Sequence, residues 1–124
     1  MNIQIFGKPK CFDTKKAERY FKERRIKFQA IDLKKYGISR GELQSVLRSV
    51  KLPDLIDPKH PDAKLLEYLA YDQYKVEKLL EDPTLLRTPI LRRGREAAVG
   101  YAPEVWAEWA FPTAAPSFGF LGPL

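Results

Sequence analysis

Ile3-Gln4-Ile5-Phe6-Gly7-Lys8-Pro9-Lys10-Cys11-Phe12-Asp13-Thr14-Lys15-Lys16-Ala17 decides how the rest of the chain is read. Ile3 and Ile5 alternate with Asn2 and Gln4, the period-2 pattern of a strand. Gly7 and Pro9 punctuate its end. Ala17, Tyr20 and Phe21 then recur at helical spacing, so a helix is predicted over 13–25. Cys11 falls at or just before that helix N-terminus. Unpaired N–H groups and the helix dipole favour an anion there, which predicts a lowered thiol pKa. Lys8 and Lys10 flank the sulfur and are expected to push the same way. The bland alternative is an inert, space-filling cysteine.

Working outward, Lys27 to Asp32 reads as a second strand with Phe28 and Ala30 on one face. Strand, helix and strand within so short a span form a βαβ unit, so the two strands should be parallel. Ser39-Arg40-Gly41-Glu42 is a capping box opening a helix whose apolar stripe is Leu43, Val46, Leu47 and Val50. Leu52 to Ile56 reads as a short turn of helix or a loop, and Asp57-Pro58-Lys59-His60-Pro61 as a break. Two short helices follow, Ala63 to Leu69 and Gln73 to Glu81, the second ended by Asp82-Pro83. Ile90 to Arg92 and Glu96 to Val99 read as strands of an antiparallel hairpin around Arg93-Gly94-Arg95. Pro103 and Glu104 open a last helix that buries Val105, Trp106 and Trp109. Residues 110–124 carry no charged side chain and read as a Pro/Phe-rich tail without regular structure, in which Phe111, Phe118 and Phe120 could dock on an apolar groove.

Two segments carry a family resemblance. Cys11-Phe12-Asp13-Thr14-Lys15-Lys16-Ala17 resembles the active-site turn of the ArsC/Spx family, which contains glutathione-dependent arsenate reductases and the transcription regulator Spx. Pro83-Thr84-Leu85-Leu86-Arg87-Thr88-Pro89-Ile90-Leu91, followed by Val99-Gly100-Tyr101, is similar to the family's Arg-Pro-(Ile/Leu) stretch and its downstream Gly-Tyr. The resemblance covers about 1–109 as one domain. It implies an α/β, thioredoxin-like, four-stranded mixed sheet with flanking helices and a helical insertion over about 39–82.

The resemblance also implies roles. Cys11 would be the sole nucleophile. Thr14 stands where Spx has a second cysteine, so no internal C-x-x-C switch can form; the thiol would need an external partner, glutathione or a glutaredoxin. Thr14 could instead hydrogen-bond the thiolate. Thr88 would face Cys11, and the Thr88–Pro89 bond would be cis. The family's arsenate reductases hold the oxyanion with arginines. Here Thr88 replaces the one before the proline, and Arg87 lies one place earlier, where a strand would turn it to the opposite face. No arginine stands at Gly100-Tyr101; Lys59 and Lys64 are the cations near a third position. Arg92, Lys8 and Lys10 are the candidates to compensate, and a related thiol reaction is expected rather than arsenate reduction itself. The second reading is a non-catalytic, Spx-like module that binds a protein such as RNA polymerase.

Composition bounds both readings. The 124 residues suggest one modest core. No stretch approaches a membrane span, and no leader pattern opens the chain, so no membrane partner is expected. A single cysteine and no internal disulfide fit the reducing cytoplasm. The net charge of +6 is uneven: residues 1–27 hold nine Lys/Arg against three Asp/Glu, and 54–82 hold four against eight. A basic face beside the cysteine would draw anions, although charge runs are usually solvated surface, as expected for Arg93 and Arg95. His60, the only histidine, is remote from Cys11 in sequence, so no metal site and no bound cofactor are expected, and no nucleic-acid motif is present.

Overall fold

The computed structural model describes residues 2–111, so Phe118 and Phe120 lie outside it. The alternating segment forms strand β1, Ile3–Gly7. Helix α1 follows over Phe12–Glu23 and buries Thr14, Ala17 and Phe21. It ends where Arg25 takes a positive φ of 59°. Strand β2, Phe28–Asp32, then runs parallel to β1, with Ile3 opposite Phe28 and Gly7 opposite Asp32.

A block of short helices comes next: α2 (Leu33–Tyr36), α3 (Arg40–Leu47), α4 (Leu52–Leu55), α5 (Ala63–Leu66) and α6 (Asp72–Glu81). The capping box opens α3: Ser39 Oγ accepts from the Glu42 N–H, and the Glu42 carboxylate accepts from the Ser39 N–H. Helix α2 was not evident in the sequence. Asp32 caps it by accepting from the Lys34 N–H, and Gly37, at φ 67°, ends it. A 3-10 turn, Pro83–Leu85, leads to strand β3 (Ile90–Arg93), which turns tightly into strand β4 (Glu96–Val99). Gly94 takes the positive φ, 59°, that a short hairpin turn needs. Helix α7, Pro103–Ala110, closes the domain.

The sheet has four strands in the order β2-β1-β3-β4, with β3 antiparallel to both neighbours. Alternation along β1 sorts the core into two layers. Ile3 and Ile5 join Leu91, Ala17, Phe21, Trp106 and Trp109 under α1 and α7. Phe6 joins Ile90 and the apolar stripes of the helical block on the other face. Each fully buried side chain of this size contributes about 1.5–3 kcal/mol. Ala30 shares its face with Phe28, which reaches Phe21 at 6.5 Å between ring centroids, but Ala30 itself is exposed. β2 is an edge strand.

The helical block is also stitched to the chain just before Pro89. The Arg87 N–H donates to the Leu55 carbonyl at 2.7 Å, and the Asp57 N–H to the Leu85 carbonyl at 2.8 Å, around a bridge between Ile56 and Leu86. This pairing brings residues 57–59 beside residue 87.

Candidate functional site

The turn after β1 is short. The Cys11 N–H donates back to the Lys8 carbonyl at 3.1 Å, and Cys11 takes extended backbone angles as the N-cap of α1. Its side chain caps nothing. It projects towards β3, where Sγ donates to the Thr88 carbonyl at 3.5 Å. The Thr88–Pro89 peptide is cis.

Burial pushes the Cys11 thiol pKa up, but hydrogen bonds push it down further. The Thr14 and Thr88 side chains and the N–H groups of Thr14 and Asp13 serve the sulfur, and the net pKa lies below the ordinary thiol value. The cause is thus the first turn of α1 and Thr88, as anion capture at a helix N-terminus requires. Lys8 and Lys10 are not among the causes, which corrects the expectation that they depress the thiol. Lys8 is committed elsewhere: its ammonium pairs with Asp57 at 2.9 Å, both groups mostly buried. Burial raises the Asp57 pKa, but the Lys59 N–H, the Lys8 hydrogen bond and the two lysine charges hold it below the usual carboxylate value.

Thr14 is 5% exposed, and its buried hydroxyl has no partner apart from the Cys11 sulfur that it serves. Thr14 packs against the end of β1, where a Cβ on Gly7 would meet its Cγ2 at 2.2 Å. Gly7 is therefore needed for the close approach of strand and helix.

Cys11 opens into a cleft of about 650 Å³. Lys8, Lys10, Phe12 and Asp13 line one side, Asp57, Pro58 and Lys59 another, and Arg87, Thr88, Gly100 and Tyr101 the third. Lys8, Lys10, Cys11 and Thr88 are thus brought together as site residues, with Thr14 and Pro89 just behind them. Arg92 is not. It leaves β3 opposite Gln4 and donates to Gln4 Oε1 and, at 3.4 Å, to Ser45 Oγ, away from the cleft. Arg87 lines the cleft instead. Strand alternation was expected to turn Arg87 away, but β3 begins only at Ile90, and residues 86–88 follow irregular backbone pinned to Leu55. The same pinning brings in Lys59. Phe12, Asp57 and Tyr101 were not foreseen as site residues; Phe12 and Tyr101 lie in the two family-like segments, which could have flagged them, whereas no local pattern marks Asp57.

Arg93 pairs with Glu96 at 2.6 Å and lies 5.0 Å from the Trp109 ring centroid, a surface role. His60, Asp62 and Asp82 place potential ligand atoms within 4.8 Å of one another. Both imidazole nitrogens are already engaged: Nδ1 accepts from the Asp62 N–H at 3.0 Å, and Nε2 lies 3.1 Å from Thr84 Oγ1. The histidine ties the 57–62 turn to the 82–84 turn. Among the described residues no helix is long and apolar enough to cross a membrane.

Comparison with known proteins agrees with this geometry. The model of the ArsC family matches residues 6–109. The global transcriptional regulator Spx 2 of Oceanobacillus iheyensis is 31% identical over 107 residues, covering 82% of this chain and 78% of the relative. An arsenate reductase from Vibrio cholerae superposes with a TM-score of 0.75 at 23% identity, over 87% of this chain and 97% of that one. An ArsC family related protein from Bacteroides fragilis gives 0.76 at 18% identity, again over 87% and 97%. At these identities the solved structures speak for the fold, which is thioredoxin-like.

Proposed function

The chain belongs to the ArsC family, and from that premise we propose that it is an arsenate reductase-like, thiol-dependent oxidoreductase of the cytoplasm. Cys11 is its only nucleophile, and glutathione or a glutaredoxin is its external reductant. One observation carries this reading: the sole cysteine sits partly exposed in a cleft, with its pKa held down by the donors of Thr14, Thr88 and Asp13. The thiolate is the nucleophile, so this arrangement raises its population at neutral pH.

The chemistry is thiol–disulfide exchange. The Cys11 thiolate attacks the glutathione sulfur of a mixed disulfide R–S–S–G. An S–S bond forms to Cys11 as the R-side S–S bond breaks, and the R thiolate takes the proton that a glutathione thiol gives up. That second glutathione thiolate attacks the glutathione sulfur on Cys11, yielding G–S–S–G and the free Cys11 thiolate. The balance is R–S–S–G + G–SH → R–SH + G–S–S–G. Thr88 and Pro89 border the path of R, where main-chain groups suit an extended partner. Arsenate is not the leading substrate, because Thr88 stands where the family's arsenate reductases place an arginine.

The 31% identity with Spx 2 favours a second reading, a regulatory module that binds a protein such as RNA polymerase without catalysis. Thr14 in place of a second cysteine removes the disulfide switch from that reading, but not the binding.

Incubation with oxidised glutathione at neutral pH, followed by mass spectrometry, tests the proposal. Rapid, reversible gain of one glutathione, absent in Cys11→Ser, is the expected result. No adduct over hours would overturn the exchange reading and leave the binding module.

A further inference from the structure

The cleft is built for more than a small disulfide. Phe12, the first residue of α1, is 78% exposed, and Tyr101 across the cleft is 58% exposed. A solitary exposed aromatic needs no explanation. Two of them, flanking the only thiol in one cavity, form an apolar rim. Tyr101 is also held in place: its ring meets the buried Trp106 edge-on at 5.3 Å, and the Lys16 ammonium lies 5.2 Å from its centroid. A fixed aromatic loses little entropy when it binds, the property of an anchor at a protein interface.

Charge adds a second constraint. The two carboxylates of the cleft are already matched, Asp57 by Lys8 at 2.9 Å and Asp13 by Lys16 at 3.9 Å. Lys10, Lys59 and Arg87 have no carboxylate within ion-pair distance among the described residues, and all three line the cavity. The wall therefore carries three cations outside any ion pair, of which Lys59 alone also acts on Asp57 through its charge, beside two exposed rings. Its volume, about 650 Å³, far exceeds what a tetrahedral oxyanion fills and lies in the range of sites that enclose larger ligands.

We propose that the mixed disulfide this cleft acts on is carried by a protein: a cysteine in an extended segment with an acidic side chain on one flank and an apolar one on the other. The acidic flank meets Arg87, Lys10 and Lys59, and the apolar flank meets Phe12 and Tyr101. The proposal rests on the exchange chemistry above and names its R group; Cys11 takes the glutathione and the peptide cysteine leaves as the thiol.

The test compares glutathione transfer to Cys11 from four donors at neutral pH and low salt, followed by mass spectrometry. They are glutathione disulfide and three S-glutathionylated peptides of equal length, flanked at the cysteine by Glu and Leu, by Gly, or by Lys. The Glu/Leu peptide is expected to react about tenfold faster than the Gly peptide, the scale of one good anchor, with the Lys peptide slowest. Added salt should shrink the gap between the acidic and basic peptides. The preference for Glu/Leu over Gly should fall several-fold in Phe12→Ser and in Arg87→Gln, both exposed positions whose loss leaves the core intact. Tyr68→Ser, equally exposed but far from the cleft, should retain it. Equal rates for the three peptides, or an undiminished preference in Phe12→Ser, would overturn the proposal while transfer from glutathione disulfide still upheld the exchange reading. No transfer from any donor would overturn both.

Discussion

Replacing Thr14 by valine should raise the Cys11 pKa while making the resting fold more stable. Valine keeps the shape and the Cγ2 methyl that packs on Gly7, so the perturbation is confined to one buried hydroxyl. That hydroxyl is buried with no partner apart from the sulfur, and its hydrogen bond favours the thiolate. A hydrogen bond to a charged group contributes about 1.5–3 kcal/mol. Each pKa unit corresponds to about 1.4 kcal/mol. Water reaches the sulfur and screens the interaction, so a rise of about one unit is expected. The sign of the stability effect follows from the same group. A depressed thiol pKa adds stability above the unfolded value of about 8.5, and that stability is lost as pH falls through the folded value. Below it, the buried hydroxyl only costs desolvation. Thr14→Val should therefore gain about 1 kcal/mol at acid pH and lose that advantage at alkaline pH. Because the chain has one cysteine, the pH dependence of alkylation reports Cys11 alone, and urea unfolding at two pH values reports the stability. Thr14→Ser, which keeps the hydroxyl, should restore the low pKa. A Thr14→Val protein with an unchanged alkylation profile would refute the assignment and leave the helix-end N–H groups as the whole cause.

Gly7→Ala drives a methyl into Thr14 Cγ2 at 2.2 Å; a loss of about 1–3 kcal/mol in urea unfolding is expected, with a raised thiol pKa as α1 shifts. Asp57→Asn breaks the mostly buried pair with Lys8 and should cost about 1–2 kcal/mol at neutral pH. Since the Asp57 pKa is depressed, wild type should lose that increment as pH falls through the folded value, so the two proteins converge in acid, as urea melts across pH would show.

Much of this protein can be read from local pattern. The period-2 run at Ile3 and Ile5, the capping box at Ser39 and the turn at Gly94 each depend on residues a few places apart, and each forms as expected. Cys11 at a helix start is equally local. Lys8 lies beyond the reach of local pattern. Adjacency to the sulfur suggested that Lys8 acts on it, but Lys8 pairs with Asp57, forty-nine residues away. Arg87 does too: alternation governs paired strands only, and whether residue 87 lies in one is set by its bond to Leu55.

Local pattern was enough for most of the elements and their order, α2 excepted, for the parallel first unit and for the position of the thiol at a helix N-terminus, because propensity, periodicity and capping act over one or two turns of chain. The tertiary structure alone decided what surrounds that thiol. The pairing of residues 55–57 with 85–87 brings Lys59 and Arg87 to one wall, and α7 fixes Tyr101 on the opposite one. Those contacts join segments from three separated parts of the chain, and their geometry follows from how the two core layers pack, which no short-range pattern encodes.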